Sequence, residues 1–186
     1  MDKETELSVL LERLGRLLQN DAHRHGLKPT QWEALRYLGR ANRFSRSPGA
    51  VTTYLGMTKG TVSQTLTALE RKGFIRKVPV PKDRRNVRLE LTRQGRALLK
   101  KDPLMDLEQA ARSLPAKEQG VLGSGLRTLL GKARESHGGK PFGACRSCRF
   151  FRADDADGRP HRCGLLDETL SEADSELVCV EQAPRP

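Results

Sequence analysis

The stretch Gly56-Met-Thr-Lys-Gly-Thr-Val-Ser-Gln-Thr-Leu-Thr-Ala-Leu-Glu-Arg-Lys-Gly-Phe-Ile75 decides how the rest of the chain is read. Gly56 suits the left-handed residue that ends a helix, and Thr58 suits the cap of the next one. From Lys59 to Lys72 the apolar residues Val62, Leu66 and Leu69 recur at helical spacing, and Gly73 stops the run. Lys59, Thr61, Ser63, Gln64, Thr67 and Arg71 fall on or near the other side. Just upstream, Ser47 caps a helix whose first turn takes Pro48 without losing a bonded N–H. Val51, Tyr54 and Leu55 line its buried side. The spacing predicts two short helices joined by a tight glycine turn.

Beyond Gly73 the period changes from helical to extended. Phe74, Ile75 and Val78 predict one short strand, and Val87, Leu89 and Leu91 a second. Pro79–Asn86 between them is too proline-rich for a strand interior and reads as a hairpin tip carrying Lys82, Asp83, Arg84 and Arg85. Thr92 is expected to cap a long helix with Leu98 and Leu99, continued past Pro103 by Leu104, Leu107 and Ala110. Leu114-Pro115 opens a last helix to about Arg134, with Val121, Leu122, Leu126, Leu129 and Leu130 apolar. Its glycines 120, 123, 125 and 131 weaken it intrinsically but permit close helix approach.

At the other end, Leu7, Leu10, Leu11, Leu14, Leu17 and Leu18 form an amphipathic helix ending near Asn20. His23 and His25 follow in a polar turn closed by Gly26 and read as loop residues. Thr30 and Glu33 make a capping box for a helix with Trp32, Leu35 and Leu38 on its apolar face. Trp32 reads as core. The fold class expected is mainly α with a small β-hairpin wing (α+β).

The chain has 186 residues and a formal net charge of +11. Residues 71–101 hold twelve Lys or Arg against two acids, Asp83 and Glu90, a net of +10. Residues 145–186 have six Arg against nine acids, a net of −3. A basic band this local reads as a docking face for phosphates. A helix fits the wide major groove of duplex DNA, where only outer-face side chains reach base edges. There Gln64 can pair with adenine, and Thr61 can touch a thymine methyl or a phosphate. Gly60 lets the backbone approach a phosphate closely. Lys82, Arg84 and Arg85 on a narrow tip suit the minor groove, where negative potential is focused. The DNA-contacting set expected is Thr58, Lys59, Gly60, Thr61, Ser63, Gln64, Thr67, Arg71, Lys82, Asp83, Arg84 and Arg85.

With Asp83-Arg-Arg-Asn-Val-Arg-Leu-Glu-Leu-Thr-Arg-Gln-Gly-Arg-Ala-Leu-Leu99 beside the opening stretch, residues 30–99 resemble the multiple-antibiotic-resistance regulator (MarR) family. The order of elements agrees over about residues 5–134. The resemblance implies a winged helix-turn-helix regulator that dimerises through its first and last long helices. It makes Asp83 the organiser of the wing and Arg85 the groove arginine, with Arg84 beside it. It also implies a homodimer on a pseudo-palindromic double-stranded operator, and a small-molecule effector. Two other classes remain open: an iron–sulfur redox or electron-transfer protein, and a winged-helix adaptor for protein contacts. No nucleophile–base pair, phosphate-binding glycine loop or paired carboxylates stand out, so no enzyme is expected.

Cys145, Cys148, Cys163 and Cys179 form a C-x2-C-x14-C-x15-C pattern in a segment too small for a core of its own. Four cysteines so spaced signal a metal site. The spacing and the aromatic pair in Cys148-Arg-Phe-Phe151 are similar to high-potential iron–sulfur proteins, although the tryptophan-bearing segment near their last cysteine is missing. The cofactor is expected to be an iron–sulfur cluster, of the 4Fe-4S type, or Zn2+, with free or redox-paired thiols as the remaining possibility. His161 is left as a surface or supporting group, and Asp154, Asp155, Asp157 and Gly158 read as an acidic turn. The expected division is a DNA-binding and dimerisation domain over 1–135, a Gly-rich hinge over 136–144, and a Cys-rich unit over 145–186 that senses redox or metal state. No apolar run is long enough for a membrane span. Met1–Glu6 is charged with no secretory core behind it, so a cytoplasmic location is expected and stable disulfides are not.

Overall fold

The computed structural model describes residues 2–21, 24–80, 83–136, 138–153 and 161–185. Its centre is three helices around one apolar cluster. Helix α1 (Lys3–Asp21) precedes them; α2 (Pro29–Arg40), α3 (Pro48–Leu55) and α4 (Lys59–Arg71) follow in order. Trp32, Leu35 and Leu38 from α2, Val51 from α3, and Val62, Leu66 and Leu69 from α4 are all buried together. Trp32 is therefore a core residue.

The local signals account for the turn between α3 and α4. The Ser47 hydroxyl accepts from Ala50 N at 3.1 Å, and Pro48 sits in the first turn of α3. Gly56 takes φ +62°, where a side chain would be strained. Thr58 Oγ1 accepts from Thr61 N at 3.2 Å and starts α4. Gly73, at φ +74°, turns the chain from α4 into strand β1.

β1 (Ile75–Val80) and β2 (Asp83–Leu91) form an antiparallel ribbon. The tip is shorter than the prolines suggest. Pro79 pairs with Val87 and Val80 with Asp83, across a register break between Pro79 and Val80. A two-stranded ribbon has an outward edge on each strand, and a break beside the proline absorbs the missing donor.

Two expectations about helix ends are corrected. Helix α2 begins at Pro29, with Lys28 extended before it, as a residue preceding proline prefers. The Gln31 side-chain oxygen accepts from Lys28 N at 3.1 Å, a role expected of Glu33 toward Thr30. Glu33 is instead half-buried, and desolvation raises its carboxyl pKa against the pull of Arg36. The long helix after Thr92 is two pieces: α5 (Arg93–Leu99), capped by Thr92, and α6 (Leu104–Arg112) beyond Pro103.

Asp102, in the break between them, is 8% exposed and meets Arg36 of α2 in a two-pronged pair, both contacts at 2.7 Å. It also accepts from Leu104 N at 2.9 Å. Removing the carboxylate strands a largely buried guanidinium. Asp102→Ala is expected to lower stability by about 3 kcal/mol in urea unfolding followed by Trp32 fluorescence. A loss under about 1 kcal/mol would show that solvent replaces the pair.

The last long helix, α7 (Ala116–Ser136), has no buried residue, and neither has α6. No residue of α1 whose side chain is described is buried. No helix among the described residues is long and apolar enough to cross a membrane.

The C-terminal segment folds into very short strands. β3 (Gly143–Ala144) pairs with β7 (Val178–Cys179). β4 (Phe151–Arg152), β5 (His161–Cys163) and β6 (Glu168–Leu170) make a second sheet, followed by the short helix α8 (Glu172–Ser175). This unit is stitched to the helical one. Asn42 N donates to Val178 O at 2.9 Å, and Val180 N donates to Ser45 Oγ at 3.0 Å. Arg43 meets Asp174 at 3.2 Å, and Val178 and Val180 pack on the main core. In the connecting segment the Phe142 ring lies 4.4 Å from Tyr54 and 3.9 Å from the Arg134 guanidinium.

Candidate nucleic-acid interface and cysteine site

The expected face of α4 is open. Thr58, Lys59, Gly60, Thr61, Ser63, Gln64, Thr67 and Arg71 are all exposed, while Val62, Thr65, Leu66 and Leu69 are buried. Burial of one stripe thus fixes the rotation of the helix and which side chains face outward. Ser63, Gln64, Thr67 and Arg71 line one shallow depression. Thr58 spends its hydroxyl locally, on Thr61 N and on Thr61 Oγ1 at 2.9 Å. A Cβ on Gly60 would meet nothing nearer than Thr58 Oγ1 at 3.9 Å, so the fold itself does not demand glycine there.

The wing follows α4 directly in the chain. Asp83, Arg84 and Arg85 lie on β2, with their side chains outside the described part, and Lys82 lies outside the described residues. At the wing's base Glu90 bridges Arg76 at 2.6 Å and Arg88 at 2.7 Å. The hydrogen bond from Arg76, then that from Arg88, holds the Glu90 carboxyl below the usual carboxylate range. Lys77 and Glu70, 2.7 Å apart, tie the wing to α4. A cavity of about 610 Å³ opens between α2, the wing and α5, bordered by Arg46, Arg76, Arg93 and Arg96 with Glu90 and Leu99.

The four cysteines converge. Cys145 and Cys148 bracket a single 3-10 turn, Cys163 ends β5 and Cys179 ends β7. All four line one cavity with Phe150, Phe151, Leu165, Leu166, Leu170 and Glu181. About 320 Å³ there is free of atoms, part of it open to solvent. None of the four is in a disulfide. Among the described residues no three His, Cys, Asp or Glu side chains gather tightly enough to hold one metal ion.

Two of the sulfurs also receive N–H groups, one of them from the helical unit. Asn42 Nδ2 lies 3.2 Å from Cys145 Sγ, and Ala183 N lies 3.4 Å from Cys148 Sγ. A hydrogen bond from Cys145 makes Cys179 the more acidic thiol of the pair, lowered to about 6, and pushes Cys145 up. Tyr37 donates to Ser45 O at 2.7 Å, and burial raises its phenol pKa. His161 does not line the cysteine cavity. Its Nε2 is 2.6 Å from Glu172, and its ring packs on Phe151. Asp154, Asp155, Asp157 and Gly158 lie outside the described residues.

Sequence reasoning missed Asn42 and Ser45. Both sit in a basic, polar stretch that reads as a loop, yet both are 0% exposed. No periodicity marks them, because each has a partner more than a hundred residues away.

A model of the MarR family matches residues 25–86. The HTH-type transcriptional regulator PecS of Dickeya dadantii (strain 3937) is 27% identical over 133 residues, 70% of this chain and 77% of that protein. FabT of Streptococcus pneumoniae, solved in complex with DNA, shares 26% identity and a TM-score of 0.59 over 72% of this chain and 99% of its own. A probable transcriptional regulator from Pseudomonas aeruginosa shares 27% identity and a TM-score of 0.53 over 69% of this chain and 96% of its own. Residues 25–86, which hold α2, α3, α4 and much of the wing, are thus the part of the chain similar to the MarR family.

Proposed function

We propose that the chain is a sequence-specific transcriptional regulator that binds double-stranded DNA as a homodimer on a pseudo-palindromic site in the cytoplasm. The observation that carries this reading is the exposed polar face of α4 set beside a basic wing. On that face Gln64 reads adenine, Thr61 and Ser63 contact bases or phosphates, and Lys59, Thr67 and Arg71 flank them. Gly60 leaves room for a phosphate. In the wing Asp83 organises the tip and Arg85 enters the minor groove, with Lys82 and Arg84 beside it. That FabT, at 26% identity, was solved on DNA supports the same reading.

The dimer follows from α1 and α7. Leu10 and Leu17 of α1 are 52% and 62% exposed, and Val121 and Leu130 of α7 are 68% and 51% exposed. Helix α7 carries four glycines, each worth about 1 kcal/mol against a helix, and buries nothing within its own chain. A helix so composed draws its stability from a partner face. A second copy supplies an identical apolar face, and twofold pairing puts two α4 helices on one side of the duplex.

In the same reading, Cys145, Cys148, Cys163 and Cys179 hold an iron–sulfur cluster or Zn2+, and its state alters DNA affinity. Thiolates brought together without a cation are otherwise unfavourable. The arginine-bordered cavity between the wing and α5 is where a small anionic effector fits.

The test is a salt series of fluorescence anisotropy on a duplex that the protein itself selects from random sequence. Arg85→Ala is expected to weaken binding by roughly 1–3 kcal/mol and relax specificity at the position it reads. Unchanged binding by this variant removes Arg85 from the groove. Absence of any duplex affinity in wild type at low salt removes the whole DNA reading.

A further inference from the structure

Asn42 serves two units at once. Its Oδ1 accepts from Phe44 N at 3.1 Å and Ser45 N at 3.0 Å, which caps the turn leading into α3. Its Nδ2 points the other way, 3.2 Å from Cys145 Sγ. Its backbone N–H donates to Val178, the residue before Cys179. An asparagine at 0% exposure with both ends of its amide engaged cannot rotate without stranding a buried polar group.

The space that Cys145 borders distinguishes between metals. Zinc bonds sulfur at about 2.3 Å in a tetrahedron, which draws four thiolates to within about 3.8 Å of one another. Cys145 and Cys179 already stand within hydrogen-bonding distance of each other, but the four cysteines together border a cavity, and among the described residues no three ligand-type side chains gather around one point. A cubane of four irons and four sulfides takes each thiolate on a separate iron and so fills a volume. The remaining lining is Phe150, Phe151, Leu165, Leu166 and Leu170, with the exposed Glu181 beside them. N–H groups directed at ligand sulfurs, here from Asn42 and Ala183, are a lever by which proteins set cluster potential.

We propose that this cavity takes a four-iron, four-sulfide cluster on Cys145, Cys148, Cys163 and Cys179, and that Asn42 is the positioning residue tying it to the winged-helix unit. This rests on the reading of the cysteines as a cofactor site. Assembly from two ferrous and two ferric ions with four sulfides gives a core of charge +2, releases the four thiol protons to solvent and parts the Cys145–Cys179 hydrogen bond. One electron delivered to such a cluster by an electrode or a chemical reductant would make the Cys145 sulfur a better acceptor. That strengthens its bond from Asn42, whose other end holds the turn before α3.

The full chain is purified without oxygen, reconstituted with equal ferrous and ferric iron and sulfide, and assayed for iron, acid-labile sulfide, metals and electron paramagnetic resonance. Four irons and four sulfides per chain are expected, and Cys148→Ser is expected to lose them. Asn42→Ser keeps a capping oxygen but has no amide to reach Cys145. It is expected to retain iron while shifting the oxidised-to-reduced ratio at fixed electrode potential at least tenfold toward oxidised, or 59 mV for one electron. One zinc per chain without sulfide, or a metal-free Cys145–Cys179 disulfide, overturns the cluster. An unchanged potential in Asn42→Ser overturns the role of Asn42. None of these readouts involves DNA, so a loaded protein that binds no duplex counts only against the regulator reading.

Discussion

Replacing Leu126 and Leu130 with aspartate is expected to yield a monomer whose affinity for a two-half-site duplex is lower by about 10²- to 10⁴-fold. That range is what a second, linked binding module contributes through effective concentration alone. Both leucines lie on α7 and are 42% and 51% exposed in the single chain, so the substitutions create no cavity in the chain's own core. In a dimer they bury four charges against an apolar face, which is incompatible with association. Because α7 buries nothing within its chain, the cluster around Trp32, Leu35 and Leu66 should keep its urea midpoint. Sedimentation equilibrium and anisotropy read the two effects separately. A dimeric variant with unchanged affinity would place the interface on another surface.

Gly95→Ala is expected to cost about 3 kcal/mol of stability, at the upper end of what overpacking a tight site does. A Cβ there would stand 2.1 Å from the Phe74 carbonyl oxygen and 3.0 Å from its carbon. The obstacle is backbone, and that backbone is held. Phe74 O accepts from Thr92 N at 3.0 Å, Thr92 Oγ1 donates to Gly73 O at 2.6 Å, and Gly95 N donates to Thr92 Oγ1 at 3.0 Å. These bonds weld the root of the wing to α5, so relief of the clash must move the wing relative to α4. The control is Gly39→Ala. Its added Cβ meets the far end of a flexible side chain, Leu99 Cδ1, at 2.9 Å. It is expected to cost under about 1 kcal/mol. Equal urea midpoints for the two variants would show that the β1–α5 joint is pliable.

The two halves of the molecule were unequally legible. From Ser47 to Thr92 nearly every boundary is a local event. Ser47, Thr58 and Thr92 donate no backbone geometry from afar; each caps the helix that follows it within three residues. Gly56 and Gly73 adopt the positive φ that their positions between elements require. The exposed face of α4 follows from its buried stripe, so the orientation of Gln64 and Arg71 could be read before any coordinates. The errors came where a local signal met a competing one. Thr30 looks like a cap, but Pro29 claims the first helical position. Pro79 looks like a loop residue, but a ribbon edge accommodates it. In the Cys-rich unit strands of two or three residues leave too little sequence to show a period, and none was foreseen.

The amino-acid sequence by itself determined the helix-turn-helix, the wing, the side of α4 that faces outward and the grouping of four cysteines into one short segment. Caps, glycine turns and hydrophobic period act over a few residues, and their energies are settled within the segment that contains them. Only the tertiary structure decided that the four cysteines line one cavity, that Asp102 answers Arg36, and that Asn42 reaches from the helical unit to Cys145. Those contacts join residues separated by 66 and 103 positions. Pairings at that range are selected by how whole faces pack, which no local pattern encodes.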